Sequence, residues 1–92
     1  MKYVLLGNLD ANWAAKQAQR TKAARDKADE LGIKVQSVLY TQGQFDFVDV
    51  VDAPSADTML TYSVWYARQG FGKMQSMPAF DEKEMVAALK KA

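Results

Sequence analysis

Two residue types are missing altogether: the 92-residue chain has no cysteine and no histidine. Without cysteine there is no disulfide framework, no thiolate nucleophile, and no cysteine-held zinc or iron–sulfur cluster. Without histidine the commonest general base near neutral pH is gone, together with imidazole ligands for haem or zinc. Any catalysis falls to Asp, Glu, Lys or Tyr, or to the substrate's own chemistry, and no cofactor is expected. An excess of one charge is lacking too. Twelve bases face eleven acids for a net charge of +1, so no long-range field gathers nucleic acid or an anionic membrane. Long hydrophobic runs are also absent. The opening apolar segment Tyr3–Leu6 is too short for a signal-peptide core. Nothing approaches the roughly 20 apolar residues of a membrane span. The expectation is a cytoplasmic protein without membrane contact.

What is present is ample apolar material, 49% of residues, in a length that suits one domain spanning residues 1–92. Tyr3–Leu6 ends at Gly7-Asn8 and reads as a first strand. Asp10 is placed to cap a long helix from Ala11 to Leu31. Ala14, Ala18, Thr21, Ala24, Ala28 and Leu31 recur at helical spacing and predict its buried face. Lys16, Arg20 and Lys27 fall on the opposite, solvated side. Gly32 supplies the stop.

Ile33–Thr41 reads as a second strand. Gln42-Gly43-Gln44 is a tight connection, and Phe45–Asp52 is a third strand, so the pair predicts an antiparallel hairpin. Both parities of the third strand carry apolar groups: Phe45, Phe47 and Val51 on one, Val48 and Val50 on the other. A sheet with one face in water alternates cleanly. This strand does not, which predicts that both faces are covered. Ala53-Pro54 ends it, and Ser55 is placed to cap a second helix running to about Arg68. Met59, Leu60, Ser63, Val64 and Ala67 are spaced for its buried side. Gln69–Gly72 breaks that helix, Lys73–Phe80 is a weaker fourth strand, and Asp81 caps a tail helix with Met85, Val86 and Leu89 inward. The order β-α-β-β-α-β plus a terminal helix predicts an α+β, ferredoxin-like fold with a four-stranded antiparallel sheet.

Val4–Leu9 and Phe45-Asp46-Phe47-Val48 loosely resemble the two signatures of RNA-recognition motifs, whose aromatics stack on bases. The third-strand pattern wants Lys or Arg, then Gly directly before the first aromatic. Gln42 and an intervening Gln44 depart from it, and Asp46, Asp49 and Asp52 repel phosphate. Nucleic acid is therefore not the expected partner. The stretch Gly43-x-Phe45-Asp46-Phe47-Val48-x-Val50-Val51-Asp52-Ala53-Pro54 resembles the GYD-domain family, named for a Gly-x-Tyr-Asp motif. The likeness extends to Tyr3–Leu6, Leu31-Gly32 and the break near Gly70, with Phe45 in place of the namesake tyrosine. The resemblance implies a dimeric α/β barrel in which two ferredoxin-like sheets pack face to face. The expected partner is thus a second copy of the chain. It does not single out a reaction, because one fold serves many.

Asp46, Asp49 and Asp52 do not read as a metal site. Asp46 and Asp52 share a face roughly 20 Å apart, while Asp49 points the other way. Asp46 is a candidate for hairpin capping or, if buried near Tyr40, for proton transfer. Trp13, Tyr62, Trp65 and Tyr66 form an aromatic set on the helices. With Tyr40, Phe45 and Asp46 they are the candidates to line a site for a small apolar or aromatic ligand. Their simpler role is core and subunit interface. Two classes of function remain: a homodimeric ligand-binding or interaction module, and a cofactor-free oxygenase or isomerase using Asp46 and Tyr40.

Overall fold

A computed structural model describes residues 1–92. The elements follow the expected order: β1 Lys2–Leu9, a 3-10 stretch Ala11–Lys16, α1 Gln17–Glu30, β2 Lys34–Tyr40, β3 Phe47–Asp52, α2 Ala56–Arg68, β4 Gly72–Pro78 and α3 Glu82–Lys91. The strands form one sheet in the order β2-β3-β1-β4, antiparallel throughout. This is the ferredoxin-like arrangement, with α1 and α2 on one face. The central strand β1 outlasts its apolar run because it is paired on both sides, with Gly7 opposite both Phe47 and Met74.

The main core lies between helices and sheet. Tyr3 and Leu5 of β1, Val51 of β3, Ala28 of α1, and Met59 and Tyr62 of α2 meet there with Ile33 and Ala53. Leu5, Val51 and Met59 are fully enclosed, each contributing about 1.5–3 kcal/mol of burial. A second cluster joins Phe47, Tyr66 and Phe71, with Trp13, Trp65 and Met74 around it. Gly7 makes room for it: a Cβ there would lie 1.9 Å from the Phe47 ring.

Four expectations are corrected. The first helix is not continuous from Ala11. Asp10 caps a 3-10 turn through Asn12 N–H, Trp13 packs edge-on against Phe71 at 4.6 Å, and the α-helix starts only at Gln17. Within α1 the sheet-facing stripe runs through Arg20, Ala24 and Ala28 at four-residue steps; Ala14 and Ala18 are exposed while Arg20 is buried with Ala28. On α2 the buried stripe is Met59, Tyr62 and Tyr66. Leu60 and Val64 remain 64% and 49% exposed, because the larger tyrosine rings take the sheet-facing positions. β3 starts at Phe47 rather than Phe45. The backbone between Thr41 and Asp46 is closed by Thr41 N–H donating to Asp46 O at 2.9 Å. Finally, α3 has the expected Asp81 cap, completed by Glu84 as a capping box, yet it does not fold inward. Met85, Val86 and Leu89 are exposed, and no substantial packing joins α3 to the rest of the chain. The radius of gyration, 14.3 Å, exceeds the roughly 12 Å usual for this length, as a projecting helix requires.

Candidate functional site

Strand parity places Phe47, Asp49 and Val51 of β3 on the helix side of the sheet. Phe47 and Val51 belong there, buried among other apolar groups. Asp49 lies between them, a carboxylate on an otherwise apolar face. Its Oδ1 is shut off from solvent and has no hydrogen-bond partner in the chain. Burial pushes its pKa up to about 6, and the nearby Arg20 guanidinium offsets this only partly.

Arg20 comes down from α1 toward the same place and is only 5% exposed. Its Nη1 donates to the Tyr66 hydroxyl at 3.3 Å. Its Nε and Nη2 are buried without a partner in the chain. The two charged groups do not pair directly, since the ion pairs of the chain lie elsewhere. Two small adjoining pockets, about 50 and 40 Å³, share Arg20, Asp49, Ala24, Val38, Tyr40 and Tyr62 as walls and make one half-open cavity. Isolated charges in such a place are costly unless something satisfies them.

The tyrosines set the polar character of the walls. Tyr62 donates to Ala24 O at 3.3 Å. Burial first, then the neighbouring Tyr66 and Asp49, push its pKa well above the usual range, so it stays a neutral donor. Tyr66 is raised as well, by burial against the opposing effect of Arg20. Because its oxygen accepts from Arg20, its own proton is free for another acceptor. Tyr40, 51% exposed on the edge strand β2, stands at the cavity's rim.

Of the residues singled out by sequence, Tyr40, Tyr62 and Tyr66 therefore come together around one cavity. Trp13 and Trp65 pack instead in the second core cluster, with Phe71 between them at 4.6 Å and 5.7 Å. Phe45 and Asp46 lie in the segment before β3. The Asp46 carboxylate accepts from Leu9 N–H at 2.8 Å and fastens the end of β1 to that segment. It does not border the cavity. Asp52 goes a third way, to the N-terminal ammonium at 2.8 Å. Phe47, the aromatic a base would need to stack on, is buried beneath the helices against Tyr66.

Sequence reasoning missed Arg20 and Asp49. Arg20 carried no signal, because its neighbours on α1 are charged as well. Asp49 did carry one: it is a carboxylate on the same parity as Phe47 and Val51.

The opposite sheet face has a different composition. Val4 and Leu6 of β1 lie opposite Val50 and Val48 of β3, with Met77 and Leu39 on the flanking strands. Leu39 is 62% and Met77 40% exposed. No helix of the chain covers this face.

In comparison with known proteins, the family model described as the GYD domain matches residues 3–89. No curated protein matches the chain.

Proposed function

The chain belongs to the GYD-domain family, matched along nearly its whole length, and from that premise we propose that it works as a homodimer holding a small ligand between its helices and its sheet. One observation carries the ligand reading: Arg20, almost wholly buried, has two nitrogens without a partner and borders a cavity together with Asp49, whose Oδ1 is likewise unpartnered. A charged pair kept only for stability closes on itself, because desolvation is recovered only through good mutual geometry. Here two charges flank a cavity, as groups that fix a ligand's orientation do.

The dimer reading is supported by the opposite face. Val4, Leu6, Leu39, Val48, Val50 and Met77 form an apolar surface that a second sheet fits by stacking at about 10 Å. The projecting α3, with Met85 and Leu89 exposed, gives each protomer an apolar arm to lay on the other. The alternative of a cofactor-free enzyme built on Asp46 draws no support from that carboxylate, which is engaged with the Leu9 backbone.

Sedimentation velocity tests the assembly. The wild type is expected as a dimer at micromolar concentration and Val50→Asp as a folded monomer, and a monomeric wild type contradicts it. A screen of small polar compounds by nuclear magnetic resonance tests the site. Ligands are expected to move the Arg20 Nε–H and Tyr66 signals, and a screen that leaves both unmoved contradicts it.

A further inference from the structure

We propose that the cavity takes a short-chain monocarboxylic acid, its carboxylate forked on Nε and Nη2 of Arg20 and sharing one proton with Asp49. This rests on the ligand-binding reading above and names its chemistry. The argument begins with which guanidinium atoms are free. Tyr66 occupies Nη1, and the unpartnered Nε and Nη2 form the side-on edge whose parallel N–H bonds match two oxygens on one carbon. A single hydroxyl or carbonyl oxygen satisfies that edge less well.

The other wall restricts the choice further. Asp49 borders the same cavity and its Oδ1 is buried without a partner, so a dianion such as phosphate would bring two charges against a third. A carboxylate brings one, and the conflict ends if one proton lies between the two carboxyl groups, as in carboxyl pairs that share a site. A cation is repelled by Arg20 and finds no second acid there. The groups facing Asp49 are Arg20 and Arg25 of α1, Tyr40 of β2, and Tyr62 and Tyr66 of α2. Burial raises the pKa of both Tyr62 and Tyr66, so each keeps its own proton and does not take this one. Each adjoining pocket, of about 40–50 Å³, encloses roughly three to five non-hydrogen atoms, which favours a short acid although the open side does not cap its length. Val38 and Ala24 give the short chain an apolar wall.

The proton balance is explicit. Below about pH 6 Asp49 already holds its proton, and the carboxylate binds with no net exchange. Above that, each binding event takes up one proton from solution, and the association constant falls about tenfold per pH unit.

The test titrates the full-length protein with propionate and, separately, propionamide from pH 5.5 to 8, following the Arg20 Nε–H and Asp49 carboxyl signals. Propionate is expected to shift both, with affinity nearly level to pH 6 and then falling about tenfold per unit. Arg20→Lys, which keeps the charge but loses the fork, is expected to weaken propionate at least tenfold. Asp49→Asn is expected to bind it with little dependence on pH. Backbone spectra of both variants report that the fold is kept. Equal binding of propionamide overturns the ligand class and leaves the pocket standing, and silence from acid and amide alike overturns both readings. Propionate affinity that stays level to pH 8 overturns the shared proton, and affinity indifferent to Arg20→Lys overturns the fork.

Discussion

Replacing Asp49 by Asn should stabilise the ligand-free protein at neutral pH, although it removes a charge beside an arginine. Asp49 titrates near 6 in the fold and near 3.9 in an unfolded chain. Between those values the folded state binds more protons than the unfolded state, so this group's contribution falls as pH rises from about 4 to about 6. It is flat above and below. A shift of about two units corresponds to roughly 3 kcal/mol for a fully enclosed group. Asp49 is only half-buried, and solvent screening reduces the figure to about 1–2 kcal/mol. Asn has the shape of the protonated acid without its ionisation. Urea unfolding of both proteins from pH 4 to 8, at one fixed protein concentration because self-association would make stability depend on it, gives the difference directly. The expected difference is near zero at pH 4, grows across pH 4–6, and levels at about 1–2 kcal/mol in favour of Asn. A difference of the opposite sign, growing with pH, would mean that Arg20 binds Asp49 directly and lowers its pKa, and the reasoning would be refuted.

Other perturbations separate site from scaffold. Arg20→Met removes the charge that holds the Asp49 pKa down, so carbon-detected titration should place Asp49 above its wild-type value. Asp46→Ala leaves Leu9 N–H without its acceptor and should cost about 1–2 kcal/mol in urea unfolding, with the cavity's ligand affinity unchanged. Gly7→Ala pushes a Cβ into the Phe47 ring and should destabilise by about 2–3 kcal/mol. The double variant with Phe47→Leu should recover part of that loss, since the two residues are in contact.

How far the fold can be read from the residues depends on the element. Strands and helix ends were legible where chemistry punctuates the chain: Ser55 accepts from Thr58 N–H, and Gly32 and Gly70 take positive φ where helices stop. Buried faces were harder. Counting small residues from Ala11 assumes an unbroken helix, yet Ala14 sits in the 3-10 turn that seats Trp13 against Phe71, and within α1 the buried stripe takes in Arg20, which a count of apolar positions passes over. On α2, Leu60 and Val64 outrank tyrosine in hydropathy, yet Tyr62 and Tyr66 bury more surface and keep a hydroxyl for Ala24 O and Arg20 respectively. The candidate site was half legible for the same reason. Aromatic side chains announce a pocket, whereas a lone arginine on a charged helix resembles its solvated neighbours until the fold brings it to a carboxylate.

The central claim is that Arg20 and Asp49 flank a binding site within a face-to-face dimer. A crystal structure of the protein as purified tests it most directly. The account predicts sheets packed through Val4, Leu6, Val48 and Val50, and density larger than water bridging the free edge of Arg20 to Asp49 Oδ1. A direct Arg20–Asp49 ion pair closing the cavity, with the sheet faces apart, would contradict it.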